Sequence, residues 1–91
     1  MRIIQHHNQF IRDMKRIQRS GACTIEDIKA VVTLLQTGAP LLDRMKDHPL
    51  KGSWAPAREC HIRPDVLLVY EKTPTALHLL RLGSHAKLFR K

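Results

Sequence analysis

The sequence is poor in acidic and aromatic residues, and it contains no long apolar segment. Its longest uninterrupted apolar run covers only residues 66–70, far too short for a membrane-spanning helix. The first residues lack the apolar stretch of a secretion signal, so we expect a cytoplasmic protein. A hydrophobic fraction of 43%, interrupted throughout by charge, is typical of a globular chain rather than a disordered one.

Cysteine is also scarce, and no metal-binding motif occurs. Cys23 and Cys60 lie far apart, and neither belongs to a Cys-x-x-Cys pair. We predict that both are buried free thiols. Because the chain also lacks a His-Glu-x-x-His motif, we expect neither a metal nor any other cofactor. A chain of 91 residues has room for one modest core, so residues 1–91 are predicted to form a single domain.

Positive charge is what the sequence has in excess. It contains 16 lysines and arginines against 8 acidic residues, which gives a net charge of +8. This balance indicates a polyanionic partner. Charge alone leaves RNA, DNA, an acidic protein and a membrane surface open.

Two amphipathic helices are predicted in the first half. Asn8 is a suitable cap for the first helix, and Gly21 ends it. Apolar side chains recur at helical spacing along one face: Phe10, Ile11, Met14 and Ile17. Basic side chains share the opposite face: Arg12, Lys15, Arg16 and Arg19. Thr24 and Asp27 have the spacing of a capping box for a second helix, which ends at Gly38.

The second half is predicted to form an antiparallel sheet. A polar connection over residues 41–56 precedes three segments with strand patterns, at 57–62, 66–71 and 76–82. Alternation in the last strand puts Leu77, Leu79 and Arg81 on one face and His78, Leu80 and Leu82 on the other. Residues 1–5 have the pattern of a further short strand. The predicted fold class is α+β: an N-terminal strand and helical hairpin followed by an antiparallel sheet.

Three of the six histidines fall where loops or strand ends are predicted: His48, His61 and His85. The turn after His61 is expected to fold Asp65 back toward it, so that a carboxylate orients an imidazole. Histidine suits both proton donation and proton acceptance near neutral pH, because its ordinary pKa is about 6.5. The other histidines, His6, His7 and His78, are predicted to be surface or core-edge residues.

These residue types fit cleavage of RNA without a metal. One group would remove the proton from the ribose 2′-hydroxyl, another would protonate the departing 5′-oxygen, and cations would hold the phosphate. Candidate phosphate contacts are Lys46, Lys51, Arg58, Arg63 and Arg81. The few aromatic side chains include one or two that could stack a base, with Trp54, Tyr70 and Phe89 as the candidates, and of these Trp54 is predicted to be a core anchor rather than a base platform.

Three motifs in the second half are similar to those of a known family. They cover residues 47–54 (Asp-His-Pro-Leu-Lys-Gly-Ser-Trp), 58–70 (with His-Ile-Arg-Pro-Asp) and 81–89 (Arg-Leu-Gly-Ser-His-Ala-Lys-Leu-Phe). In this order they resemble the YafQ branch of the RelE-type toxins. Relatives commonly have tryptophan directly after the motif aspartate, whereas this chain has Val66.

The resemblance implies a toxin of a bacterial type II toxin-antitoxin pair. It implies a ribosome-dependent endoribonuclease that cleaves translated mRNA and leaves 2′,3′-cyclic phosphate and 5′-hydroxyl ends, on a small RelE-like, microbial-ribonuclease-like fold. The implied partners are a cognate antitoxin, the ribosome and mRNA, with operator DNA contacted only within the toxin-antitoxin complex and no membrane. Implied catalytic residues are His48, His61, Asp65 and His85, with Arg81 and Phe89 binding substrate.

A noncatalytic role is the alternative. In that case the chain is a basic nucleic-acid- or ribosome-binding protein, and its histidines have no chemical task. Both interpretations give the basic face of the first helix to ribosome or nucleic-acid binding.

Overall fold

The computed structural model describes residues 1–89. The helices and strands follow one another as β1 (Ile3–His6), α1 (Asn8–Ser20), α2 (Ile25–Thr37), β2 (His48–Pro49), β3 (Arg58–Arg63), β4 (Val66–Lys72), β5 (Ala76–Gly83) and α3 (His85–Phe89). Two single 3₁₀ turns, Asp43–Met45 and Gly52–Trp54, flank β2 within the long connection.

The strands form one five-stranded sheet in the order β1-β5-β4-β3-β2. Strands β2 to β5 pair antiparallel with their neighbours, and β1 pairs parallel to β5 at the other edge. The predicted α+β class is confirmed. The parallel edge strand makes the sheet mixed, because the helical hairpin carries the chain back before β2 begins.

Local capping explains where the two long helices begin and end. Thr24 and Asp27 form the predicted capping box, in which each side chain accepts from the other residue's backbone N–H. Gly21 and Gly38 end α1 and α2 with φ of 73° and 79°, a conformation that glycine adopts without a Cβ clash. At the start of α1 the prediction was wrong by one residue, because His7 is the N-cap and contributes no side-chain bond.

The sheet has a core on each face. The larger core lies under α1 and α2, where Phe10, Ile17 and Leu35 pack against Leu68 and other strand residues. On the opposite face a smaller core forms from Ala57, Leu67, Val69 and Leu88, with α3 and the second 3₁₀ turn resting on it. This second face is only partly covered, and it carries the candidate site.

The predicted alternation of β5 holds through Leu80 and is wrong from Arg81 onward. Leu77, Leu79 and Leu82 all belong to the core under the helices, whereas Leu80 packs on the opposite face. The physical reason is a register shift: Arg81 pairs with Val69 and Leu79 with Tyr70, so Leu80 is an extra residue in β5. A bulge of this kind turns the residues after it to the other face.

Two other features bear on the predictions. Cys23 and Cys60 are both free and buried, as predicted. None of the helices within residues 1–89 is both long enough and apolar enough to span a membrane.

Candidate active site

Two histidines from distant parts of the chain meet a buried carboxylate on the partly covered face. His48 lies opposite Glu59 in the β2–β3 pairing, and His85 is the first residue of α3. The Nε2 atom of His48 is 2.9 Å from Glu59 Oε1, and that of His85 is 3.4 Å from the same oxygen. Sheet pairing and the chain reversal after β5 therefore bring His48 and His85 together on Glu59.

His48 uses both of its ring nitrogens. Its Nδ1 lies 2.7 Å from the carbonyl oxygen of Lys46, which only accepts hydrogen bonds, so Nδ1 carries a proton. Its Nε2 faces the Glu59 carboxylate, which also only accepts when ionised. Both ring nitrogens of His48 are therefore engaged, and the imidazole is held in one orientation between Lys46 and Glu59.

Glu59 is almost completely inaccessible, with 3% of its side chain exposed. One oxygen lies between the two histidines, and the other, Oε2, is buried with no hydrogen-bond partner among residues 1–89. A buried carboxylate oxygen without a donor is costly and uncommon in a folded protein. A donor group that reached Oε2 would relieve this cost.

His85 is the most exposed member of the cluster. Its side chain is 61% exposed, and the 3.4 Å approach to Glu59 is long for a hydrogen bond to a charged group. It lies directly over the buried carboxylate.

His61 also belongs to this face, two residues after Glu59 on β3. Its ring centroid is 5.9 Å from that of His85, with the planes at 61°. His61 does not contact the partner that was predicted for it. Within the described residues no hydrogen bond or ion pair joins His61 to Asp65, which is exposed in the β3–β4 turn. The predicted His61–Asp65 pair does not form, because the turn leaves the carboxylate in solvent rather than folded back over the sheet.

The three arginines predicted to bind phosphate are all paired with aspartates. Arg58 donates to Asp47 from Nε and Nη2, at 3.3 and 3.2 Å, and the Tyr70 hydroxyl donates to the same carboxylate. Arg63 donates to Asp27 at 2.7 and 3.0 Å, which holds the pKa of that carboxyl below its usual value. Arg58 and Arg63 thus have structural partners that the sequence did not reveal. Lys46 and Lys51 are exposed.

Arg81 is held by a buried aspartate of α1. Asp13, 1% exposed, accepts from Arg81 Nε at 2.7 Å and Nη2 at 3.3 Å, from Arg16 at 2.8 Å and from the Leu82 backbone N–H at 2.9 Å. Burial raises the pKa of Asp13, but these hydrogen bonds outweigh burial and leave the pKa below its ordinary value. The bulge in β5 and this carboxylate together fix the direction of the Arg81 guanidinium.

A row of four rings crosses the site from β3 to the second 3₁₀ turn. It runs from His61 to His85, from His85 to Phe89 at 5.7 Å, and from Phe89 to Trp54 at 5.1 Å between ring centroids. Trp54 anchors into the smaller core as predicted, but it is only partly buried. Tyr70, the remaining aromatic candidate, is fully buried on the other face and is not available to stack a base.

Three of the four basic side chains on α1 are exposed, and the fourth is held in an ion pair. Arg12, Lys15 and Arg19 are exposed, whereas Arg16 is tied to Asp13 by an ion pair. Arg16 therefore has a structural contact in addition to any role in docking. No group of three or more His, Cys, Asp or Glu side chains within residues 1–89 is arranged to hold a metal ion.

Sequence reasoning missed Glu59 and Asp13, the two buried charged residues of the described chain. Glu59 had a usable signal, since it precedes His61 by two residues on a predicted strand and so shares its face. For Asp13 the signal is its place among the apolar positions of α1. Nothing in the sequence shows that its partner is Arg81, 68 residues later.

The sequence of this chain matches those of known proteins over nearly its whole length. The family described as "Bacterial toxin of type II toxin-antitoxin system, YafQ" matches residues 2–90. The mRNA interferase toxin YafQ of Escherichia coli K12 is 38% identical over 89 residues, covering 97% of this chain and 96% of the relative.

Two solved structures show the same architecture. A copper-bound mutant toxin from Helicobacter pylori is 40% identical and superimposes with a TM-score of 0.92, covering 98% of this chain and 100% of the other. The toxin of the E. coli DinJ-YafQ toxin-antitoxin complex is 38% identical, with a TM-score of 0.87 and coverage of 97% of each chain. The predicted family is confirmed: this chain belongs to the YafQ family of toxins of bacterial type II toxin-antitoxin systems.

Proposed function

We propose that this protein is an mRNA interferase, an endoribonuclease that cleaves translated mRNA on the ribosome by acid-base chemistry and so inhibits translation. The observation that carries the proposal is the convergence of His48 and His85 on Glu59 Oε1, with Phe89 next to His85. The E. coli relative that is named an mRNA interferase supports the substrate class.

In the proposed reaction the ribose 2′-oxygen attacks the adjacent phosphorus while the bond from phosphorus to the 5′-oxygen breaks. Glu59 accepts the 2′-hydroxyl proton and His85 gives a proton to the departing 5′-oxygen, which leaves a 2′,3′-cyclic phosphate and a 5′-hydroxyl. A carboxylate is ordinarily ionised at neutral pH and so suits the base, and the ring of His85 retains a nitrogen that is not directed at Glu59. His85 moves aside as the substrate enters, which opens the buried base.

Positive groups around the phosphate stabilise the charge that builds up as it becomes pentacoordinate. His48 is held in place by Lys46 and Glu59 and faces the phosphate as a hydrogen-bond donor, and Arg81 presents a guanidinium whose direction Asp13 sets. His61 lies next to His85 and supplies a further donor on the same side. The implied role of Asp65 stays a prediction, since its carboxylate lies away from these groups.

The proposed partners follow from the same surface. The exposed cations Arg12, Lys15 and Arg19 dock on ribosomal RNA, and Lys46 and Lys51 contact the mRNA backbone. An antitoxin covers the basic face and neutralises the toxin, as the E. coli relative solved in complex with DinJ suggests. Operator DNA is contacted only through that complex. The site of action is the cytoplasm.

Mapping the ends of cleaved transcripts tests this proposal. In a purified translation reaction, the wild-type protein should cut a translated transcript and leave 5′-hydroxyl and cyclic phosphate ends, in the presence or absence of a chelator. An otherwise identical transcript without a start codon should stay intact. Fragments with 5′-phosphates that appear only with added Mg²⁺ would contradict the acid-base mechanism.

Two variants assign the proton-transfer groups. Glu59→Gln and His85→Ala should each lower the cleavage rate about 10²- to 10⁴-fold, the range typical of a general acid or base. His78→Ala is a matched control, because that histidine lies at the far end of β5 and bonds to His7 instead. Unchanged cleavage by Glu59→Gln would remove the carboxylate from the mechanism, and circular dichroism shows whether each variant is folded.

A further inference from the structure

A pocket of about 650 Å³ opens at the far end of the ring row from His61. Its chemically distinct lining residues are Gln9, Trp54, Arg81, Lys87 and Phe89. We propose that this pocket, called the Trp54 pocket below, binds the nucleotide next to the scissile phosphate. The base would lie against Trp54, and its 5′-phosphate, which is the scissile phosphate, would bind to Arg81 and Lys87. The inference rests on the proposed cleavage of RNA and adds a binding subsite to it.

An aromatic wall fits a nucleobase. Trp54 and Phe89 meet edge to face with ring centroids 5.1 Å apart, and both rings are only partly buried. The indole therefore retains surface that a ligand in the pocket can contact. Every base has a π-face, so stacking on such a ring is available whatever the sequence.

The cations of the pocket are suited to a phosphate. Arg81 is 24% exposed, and Asp13 holds it from behind, so the guanidinium is oriented before any ligand binds. Lys87 stands exposed on α3 at the same opening. An oriented guanidinium with a flexible ammonium beside it binds a phosphate group through charge-assisted hydrogen bonds.

Gln9 adds a group that can read a base edge. It is exposed near the start of α1 and lines the pocket. An amide offers both a donor and an acceptor, the combination that sequence-specific contacts with unpaired RNA bases use. Stacking on Trp54 would supply affinity, and Gln9 would supply preference for the base in this subsite.

The position of the pocket sets which nucleotide it holds. Phe89 separates His85 from Trp54, at 5.7 and 5.1 Å between successive ring centroids. A base on Trp54 therefore lies one ring beyond the one that Phe89 contacts. The nucleotide in the pocket is a neighbour of the cleaved linkage along the strand rather than the cleaved nucleotide itself.

The single tryptophan of the chain gives a direct test. The probe is a trinucleotide with 2′-O-methyl riboses, which binds without being cleaved because the attacking hydroxyl is blocked. Titration of the full-length wild-type protein should quench the intrinsic tryptophan fluorescence in a saturable way. Quenching that is absent at concentrations where fluorescence anisotropy of a dye-labelled trinucleotide shows binding would overturn the proposal.

Variants separate the subsite from the cleavage machinery. Trp54→Leu should weaken binding of the dye-labelled trinucleotide roughly 5- to 150-fold, the loss expected for one base–aromatic stack. Because Trp54 also packs into the smaller core, Lys87→Ala provides a second test that leaves the core intact. Lys87→Ala should weaken binding of the trinucleotide and reduce the salt dependence of that binding. Lys29→Ala, the same change at an exposed position of α2, should do neither.

Base preference is tested at Gln9. Gln9→Ala should narrow the differences in affinity among trinucleotides that vary at one position, and Gln18→Ala on the same helix should leave them unchanged. Saturable quenching with weaker binding in Lys87→Ala supports the Trp54 pocket even if the protein fails to cut RNA. Cleavage that depends on His85 while Trp54→Leu and Lys87→Ala bind like wild type refutes the pocket and leaves the proposed function standing.

Discussion

Asp13 provides the sharpest test of how this fold positions Arg81. Asp13→Asn keeps the shape of the side chain but removes a buried charge that accepts hydrogen bonds from two arginines and a backbone N–H. Breaking a buried ion pair typically costs about 3–5 kcal/mol. Arg81 and Arg16 are 24% and 40% exposed, so water compensates part of this loss, and we expect about 2–4 kcal/mol.

That loss of stability is large enough to measure by thermal denaturation. In a domain of this size a change of 1 kcal/mol shifts the melting temperature by roughly 4–8 °C, so Asp13→Asn should melt at least about 8 °C below wild type at pH 7. Asp43→Asn, which removes an exposed carboxylate from a 3₁₀ turn, is the matched control and should melt like wild type. Equal stability of Asp13→Asn and wild type at pH 7 would refute the reasoning.

The pH dependence of the stability difference between wild type and Asp13→Asn independently tests whether Asp13 is ionised in the folded protein. The pKa of Asp13 is lower in the folded state than in the unfolded chain, where it is about 3.9. Its contribution is therefore fully present above the unfolded pKa and is lost as the pH falls through the folded pKa. The stability difference between wild type and Asp13→Asn should be constant near neutrality and shrink in acid. A difference that grows as the pH falls would contradict the ionised, ion-paired state.

Three further outcomes are expected. Burial, with the Asp47 and Glu59 carboxylates nearby, raises the pKa of the Cys60 thiol to about 12, and burial raises that of Cys23, so neither should react with a thiol reagent at pH 8 until the protein unfolds. Burial and the Asp47 carboxylate raise the pKa of Tyr70, the only tyrosine, so absorbance at about 295 nm should show no phenolate at the usual pH of about 10. Any stability this tyrosine contributes is present below its unfolded pKa and lost as the pH rises through the folded one. Thr24→Ala removes one half of the capping box and should lower the free energy of unfolding by about 1 kcal/mol, measured in urea, and an unchanged value would show that the cap is not needed.

Local rules predicted the elements of the fold. Apolar spacing and the Thr24 capping box marked both helices, and runs of β-branched and apolar residues marked the strands. Such features depend on residues a few positions apart, and the sequence displays them directly. The bulge at Leu80 and the short strand β2 escaped notice, because both depend on how neighbouring strands align rather than on a local pattern.

The candidate site divides in the same way. The residue types were visible in the sequence: histidines at loop and strand ends, an excess of cations, and motifs that resemble those of a toxin family. The match over residues 2–90 confirms that the chain belongs to that family. Which groups meet was not visible. The expected His61–Asp65 contact follows from their nearness in sequence, yet the carboxylate that lies between His48 and His85 is Glu59.

The amino-acid sequence by itself determined the fold class, the family and the chemistry available to this protein, since these follow from composition, short-range spacing and motif order. Only the tertiary structure decided that Glu59 is the shared carboxylate and that Asp13 holds Arg81, because both contacts join residues far apart in the chain through sheet register and helix packing. Burial of a charge is likewise a property of the assembled layers. It gives Glu59 and Asp13 their significance, and no short stretch of sequence encodes it.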